Sequence, residues 1–394
     1  GDGMYLAALP LLAAELTSDP LPVSVVTFAA WLPWLLFALP AGALVDRLDR
    51  RRVMWSVDAT RALVVGGLTA AVLAGWASIP LLALAGFLVG AGQTLVENAA
   101  QSMVVVVVGR EPRRLERANG RLVASLTVGQ QLAGPPAGST AFALAAWLPL
   151  LADAVSFGAS ATLVASIRGR FRPDADGRAT GRSLRAEIAE GLRFLFGHRL
   201  LRAAVLLVSA SNLAFMAGEA VLVLFATDEL GLGSRGYGLL LAAVALGGLP
   251  GSLLAARVGQ RVPPGPLIVG GVLAGAVAMA CFGLAGDPWV AGAAYIATGA
   301  VWGVWNVTML SLRQAIVPDR LMGRVVGAVR LIGFGSIPVG ALLGGVVART
   351  LGLRAPFLLG AAVLAVAALA ATPVITSAAV ETARDRAATG ARRS

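Results

Sequence analysis

Gly42-Ala43-Leu44-Val45-Asp46-Arg47-Leu48-Asp49-Arg50-Arg51-Arg52 interrupts apolar sequence on both sides, with Val23 to Val45 before it and Val53 to Trp76 after. Residues 46–52 hold six charges in seven positions. An arginine at the centre of a bilayer is unfavourable by at least ~2.5–3.5 kcal/mol, so this stretch belongs at a water interface, as a tight turn between two membrane helices. Gly42 allows close backbone approach where the first helix ends. Asp46 can accept hydrogen bonds from the amides that open the next helix, and the arginines face the cytoplasmic leaflet. Charge alone would describe a stop-transfer loop.

Composition agrees with a membrane setting. The chain is 57% hydrophobic and 13% charged, with mean hydropathy +0.80. Soluble domains carry about 25% charged residues. The single cysteine, Cys281, excludes a disulfide within the chain, and one histidine, His198, leaves no zinc-ligand cluster. Every basic residue is arginine, and the net charge is +11.

Crossing a bilayer takes about 20 apolar residues. Spans are expected at roughly 22–45, 53–77, 79–108, 118–145 and 147–167, after a shortened one at 1–16. A polar linker follows at 168–200, then spans at roughly 201–226, 236–258, 264–285, 288–312, 321–348 and 354–375, and a polar tail at 376–394. The first span (Met4 to Leu16 is its apolar part) reads as the remainder of a helix whose first half is missing. No basic segment precedes it, so no cleavable signal is expected. The domains are thus a six-helix bundle at 1–167, the linker, a second six-helix bundle at 201–375 and the tail.

The arginines give this topology a direction. The loops at 46–52, 109–121, 168–202, 257–261 and 313–330, with the tail, hold 28 of the 32. The alternate loops hold only Arg235, Arg349 and Arg354, and Arg61 is intramembrane. The even-numbered connections are therefore expected inside the cell, with both termini of the full-length protein cytoplasmic. Membrane orientation accounts for the positive charge, and no nucleic-acid partner is needed.

The opening stretch also has an echo. Gly251-Ser-Leu-Leu-Ala-Ala-Arg-Val-Gly-Gln-Arg261 repeats it with Ala255 in place of Asp46, and Arg117-x-x-Gly120 returns as Arg324-x-x-Gly327, at an offset of about 207 residues. The order Gly-x-Leu-x-Asp-Arg-x-x-Arg-Arg-Arg resembles the signature loop between helices 2 and 3 of the major facilitator superfamily, which is built from parallel six-helix repeats. Gly1-Asp2-Gly3 with Ala8-Leu9-Pro10, Asp58-Ala-Thr-Arg61-Ala, and Glu187-Ile-Ala-Glu-Gly-Leu-Arg-Phe-Leu195 are similar to the branch of enterobactin-type and macrolide-type exporters. The resemblance covers essentially the whole chain. It implies an all-α membrane fold of twelve helices, the first one truncated. It also implies that Asp46 bonds to helix 11 or its loop in the outward-open state.

Helix 5 carries Gly129 and Gly134-Pro135-Pro136-Ala137-Gly138-Ser139, which resembles the Gly-Pro-x-x-Gly-Gly antiporter motif of exporters in this superfamily. Ser139 replaces the last glycine, and Gly129 precedes Gly134 by one residue more than usual. Small residues permit close helix contact, and prolines free backbone carbonyls. In the linker, Leu184, Ile188, Leu192 and Leu195 share a helical face behind a Ser183 cap, which predicts an interfacial amphipathic helix.

Ionisable groups inside the membrane are functional candidates by default. Asp58 and Arg61, i and i+3 on helix 3, are expected to pair near the cytoplasmic side, Asp58 ~8 Å deep counting from Val53. Together with Gly42, Asp46, Arg47, Arg50, Arg51, Arg121 and Arg330 they form a candidate inner gate. Asp2, Glu97, Asp153 and Glu219 are candidate proton carriers. Gln93, Gln131, Asn212, Trp302, Trp305 and Asn306 are candidates for a cavity suited to amphipathic substrates, with an interfacial tryptophan belt as the competing reading.

No phosphate-binding loop, nucleophile elbow or metal-ligand pair is present, so neither an enzyme nor direct use of ATP is expected. The expectation is a secondary active exporter of amphipathic small molecules of drug, macrolide or siderophore type. It would be proton-coupled and monomeric, sit in the cell membrane without a cofactor, and work by alternating access. A solute importer of the same superfamily and a non-transporting membrane sensor or scaffold are the alternatives.

Overall fold

The computed structural model describes residues 1–45, 48–109, 111–168, 171, 184–317 and 319–383. Every regular element among them is helical. The first six expected spans appear as α1 (Asp2–Leu16), α2 (Pro20–Val45), α3 (Arg50–Leu73), α4 (Ile79–Val108), a broken fifth helix, and α7 (Leu148–Ser166). The fifth runs as α5 (Pro112–Leu126), a π-helical turn (Thr127–Ala133) and α6 (Gly134–Leu144). The linker supplies α8 (Leu184–Gly197). The seventh span is α9 (Arg199–Glu219), followed by the short α10 (Leu222–Leu224) and a second π turn (Phe225–Glu229). The remaining five are α11 (Ser234–Arg261), α12 (Pro264–Leu284), α13 (Pro288–Ile316), α14 (Asp319–Leu351) and α15 (Ala355–Ala371).

Nine of these described helices are long and apolar enough to cross a membrane. Of the other spans, α15 is apolar but only 17 residues long, α1 has 15 residues, and the π turn divides the fifth. Local chemistry sets the boundaries. Asp49 caps α3, its side chain accepting from the Arg52 amide at 3.1 Å. The cap expected of Asp46 thus belongs to Asp49, and Asp46 and Arg47 lie outside the described residues. Asp287 caps α13 through the Trp289 and Val290 amides, with Pro288 preset in the first turn. Gly75 and Gly352 follow α3 and α14 with φ of +74° and +93°, a conformation that ends a helix at little steric penalty for glycine.

Packing divides the chain into two compact units, Gly1–Ala179 with Ala220–Ala242, and Thr180–Glu219 with Ala243–Ser394. Segment 220–242, expected in the second bundle, therefore groups with the first, where Leu222 to Ala226 are at most 2% exposed. In the first unit α2 packs on α4, α3 on α7 and α4, and α1 on α6. In the second, α9 lies against α14 and α15, and α12 against α13 and α15. Glycines form these seams: Gly340 and Gly344 of α14 face Leu213 and Ala217 of α9, and Gly299 and Gly303 of α13 face Val244 and Gly248 of α11. Lipid tails offer no hydrophobic drive for helix association, so close backbone packing at small residues supplies the contact.

The linker helix α8 packs on α14. A Cβ on Gly191 would collide with the Arg324 carbonyl, and Glu190 pairs with Arg324 at 2.8 Å. Of the amphipathic face expected at a lipid interface, Leu195 is 1% exposed and Leu192 half-buried, and the side chains of Leu184 and Ile188 lie outside the described residues. Ser183 lies outside the described residues.

Candidate functional site

In the first unit, Arg61 collects the intramembrane charges. Its Nη2 donates to Asp2 Oδ1 of α1 at 3.1 Å, and its Nη1 stands 3.6 Å from Asp58 Oδ1 on its own helix. The guanidinium also covers the Phe157 ring of α7 at 3.9 Å, a cation–π contact away from water. Asp2 Oδ2 accepts from Gln130 Nε2 at 2.9 Å, and Asp58 Oδ2 accepts from Ser160 Oγ at 2.6 Å. Arg61 and Asp58 are each 4% exposed, and the Asp2 side chain is 31% exposed.

Asp153 of α7 joins the same cluster, within electrostatic reach of Asp2 and Arg61. It is fully buried, and its one hydrogen-bond partner among the described side chains is Ser156 Oγ at 3.4 Å. Asp153 Oδ2 and the buried Tyr5 hydroxyl have no hydrogen-bond partner among the described residues. Arg61 therefore pairs with two carboxyl groups, and a third, Asp153, lies nearby. Asp2 and Asp58 are each met by two donors, whereas Asp153 is not.

This convergence joins a pair expected at an inner gate to two expected proton carriers. α3 begins at Arg50 rather than Val53, so Asp58 and Arg61 lie about 12 and about 16 Å along it. Half of a bilayer's hydrocarbon thickness is about 15 Å. Of the other gate candidates, Gly42 lies in α2, and the Arg50 amide donates to Phe171 O at 3.4 Å. The Arg51 guanidinium donates to the Ala165 carbonyl. Arg121 is exposed on α5, and Arg330 is exposed on α14 beside Arg313.

The π turn shapes the cluster. The Gly134 amide bonds to Gly129 O, an i to i+5 bond that absorbs the extra residue between the two glycines. Gly134 and Gly138 then form a flat face against α1: a Cβ on Gly3 would lie 2.7 Å from Gly129 O, and one on Gly138 would lie 2.5 Å from Met4 Cα. The π turn also decides which glutamine serves. Gln130 reaches Asp2, while Gln131, expected at a substrate cavity, is exposed. Where the motif would place its last glycine, buried Ser139 abuts Gly238 of α11, so the small residue comes from the neighbouring helix. The seven-residue π turn follows from the Gly129–Gly134 spacing, the one sequence signal that could have pointed to Gln130.

The other candidates do not join this cluster. Glu97 accepts from Gln93 Nε2 one turn away at 2.8 Å on α4. In the second unit, Glu219 accepts from the Tyr295 hydroxyl at 2.5 Å, and Asn212 donates to Gly333 O at 2.8 Å. Trp302 and Trp305 stack at 5.2 Å, continued by Phe215 at 6.3 Å from Trp302. They border a cavity of about 40 Å³, room for about one water. Asn306 is exposed.

The family model described as transmembrane secretion effector, of the major facilitator superfamily, matches residues 4–388. The chain belongs to that family. It is 29% identical over 368 residues to the multidrug efflux pump Tap of Mycobacterium tuberculosis, covering 91% of this chain and 86% of the pump. It is 26% identical over 323 residues to the enterobactin exporter EntS of Escherichia coli, covering 78% of this chain and 74% of that one. The fold matches the crystal structure of a nucleoside transporter, NupG, with a TM-score of 0.75 over 95% of this chain and 96% of that one, at 12% identity. A bacterial homologue of the iron transporter ferroportin, in an inward-facing state, matches with a TM-score of 0.70 over 93% and 94% at 14% identity. The protein is thus a multi-pass membrane protein of the major facilitator fold.

Proposed function

We propose that the protein is a secondary active exporter of amphipathic small molecules, proton-coupled and working by alternating access between two six-helix bundles. The even-numbered connections and both termini would face the cytoplasm. Export is supported by the family's description and by relatives named as a multidrug pump and a siderophore exporter. The observation that carries coupling is the set of three carboxyl groups near Arg61, two of them buried.

Three ionised carboxylates close together in low dielectric repel, and a bound proton relieves that repulsion. Asp153 is the holder of that proton, because a neutral carboxyl tolerates an unpartnered oxygen better than a charged one does. Tyr5 and Asp2 of α1, Arg61 of α3 and the amino group of Gly1 lie within electrostatic reach of it. Asp2, the most exposed of the three carboxyls, is the point at which protons and water reach the cluster. Arg61 then moves its pairing between Asp2 and Asp58 as the charge changes, and this switch biases the bundle between two states. Gly134 and Gly138 let α1 slide on α6 while it does so.

The test is accumulation of a hydrophobic fluorescent dye in inside-out vesicles holding the full chain and an imposed proton gradient. Accumulation should cease with a protonophore. Asp153→Asn should leave the protein inserted and dye-binding while abolishing the gradient's effect. Gradient-driven accumulation at the original rate in Asp153→Asn would overturn the coupling assignment.

A further inference from the structure

Two adjoining cavities in the second unit form a groove that the transport reading leaves unused. One, of about 650 Å³, is bordered by His198 and Arg199, by Ile316, and by the chain after α15 from Pro373 to Ala383. The other, of about 420 Å³, runs between α9 and α15 and shares Arg199 and Val374 with the first. Its walls are Ala203, Leu206 and Ala210 on α9 and Ala367 and Ala370 on α15. Alanine at four of these five positions leaves a channel that longer side chains would fill.

Charge is confined to one end. Arg199 and Arg202 stand i and i+3 on α9, so they share a face, and both are exposed. Arg202 Nη1 donates to Phe196 O at 3.3 Å, which steadies that guanidinium at the mouth. Neither arginine has an ion-pair partner among the described residues, and neither cavity has an acidic residue in its lining. From Arg199 to Ala210 α9 rises about 16 Å, close to the ~15 Å depth of one leaflet's hydrocarbon. An apolar channel of one leaflet's length, with two unpaired guanidinium groups at its polar end, matches one chemistry: a phosphodiester carrying an acyl chain.

We infer that this groove is a binding site for one anionic phospholipid of the inner leaflet. The phosphate sits between Arg199 and Arg202 below His198 and Thr382, and an acyl chain lies along Ala203, Ala210, Ala367 and Ala370. The leaflet assignment rests on the cytoplasmic placement of the start of α9 proposed above; the lipid chemistry does not.

Native mass spectrometry of the full chain released from nanodiscs of equal phosphatidylglycerol and phosphatidylcholine tests it. The wild-type chain should retain one phosphatidylglycerol and no phosphatidylcholine. Arg199→Gln with Arg202→Gln should lower the retained fraction at least tenfold. Ala370→Trp, which fills the channel and keeps both arginines, should do the same. Equal retention of both lipids, or undiminished retention in both variants, would overturn the site. Displacement by millimolar inorganic phosphate would overturn a lipid in favour of a soluble anion. Labelling of Arg199→Cys by an impermeant thiol reagent, in inside-out against right-side-out vesicles, reads the orientation separately. Reaction from the outer face alone would overturn the inner-leaflet assignment and the proposed topology, with lipid retention still measured independently.

Discussion

Arg61 is where single side chains matter most. Removing one partner of a buried ion pair strands the other charge, which destabilises by about 3–5 kcal/mol. Arg61→Gln should therefore lower the thermal unfolding temperature in detergent markedly, because Asp58 and Asp2 both lose their cation. Adding Asp58→Asn to it should restore part of that loss; no recovery in the double variant would show that Asp58 is not held as a carboxylate. Glu219 behaves differently, since the Tyr295 hydroxyl satisfies it. Tyr295→Phe should leave a buried acceptor unpaired, at about 1–3 kcal/mol, while Glu219→Gln keeps the hydrogen bond and should be milder. A reversed ranking in thermal unfolding would remove Glu219's role as acceptor. Asp2, Asp58, Arg61 and Asp153 stood out in the sequence as charges in apolar runs. Only the Asp58–Arg61 pair was legible there; that Asp2 and Asp153 join it was not, because α1, α3 and α7 bring together residues up to about 150 positions apart. Gln130 was not a candidate in the sequence, because nothing local shows that it reaches Asp2.

At the scale of elements, the π turn and the linker helix carry the argument. Deleting Gln131 should return residues 127–133 to α-helical pairing and rotate Gln130 off Asp2. Losing a hydrogen bond to a charged group weakens stability by about 1.5–3 kcal/mol, to be read by thermal unfolding. Unchanged stability with the π turn removed would mean that the bond contributes nothing. The unusual glycine spacing was legible as a departure from the antiporter motif. Only the i to i+5 bond at Gly129 shows that the extra residue is accommodated without breaking the face that meets α1. For α8, the Glu190–Arg324 pair is partly solvated, with side chains 39% and 25% exposed, and contributes about 0–1 kcal/mol. Gly191 matters more, since any larger side chain there meets the Arg324 backbone. Gly191→Leu should detach α8 and raise protease cleavage in the linker, whereas Glu190→Gln should not. Equal cleavage in the two variants would place the hold on α8 elsewhere.

For the molecule as a whole, the proposed alternating access gives the signature loop a role that can be tested. Asp46→Asn should slow dye export with little change in the amount of protein inserted, as measured in the same vesicles. Unimpaired export would remove the proposed role of that loop. Hydropathy and arginine placement were enough to anticipate the spans, because both are local properties: apolar length must match the bilayer, and charge must leave it; the superfamily was legible only in the order of residues 42–52. The sequence by itself determined the helices, their order and the expected direction of insertion. Tertiary structure alone decided that Arg61 serves Asp2 as well as Asp58, that Gln130 meets Asp2, and that segment 220–242 packs with the first unit. Those outcomes depend on helix rotation and close approach at glycines. A shift of one residue turns a side chain by about 100°, and no local count along the chain resolves which neighbour it then faces.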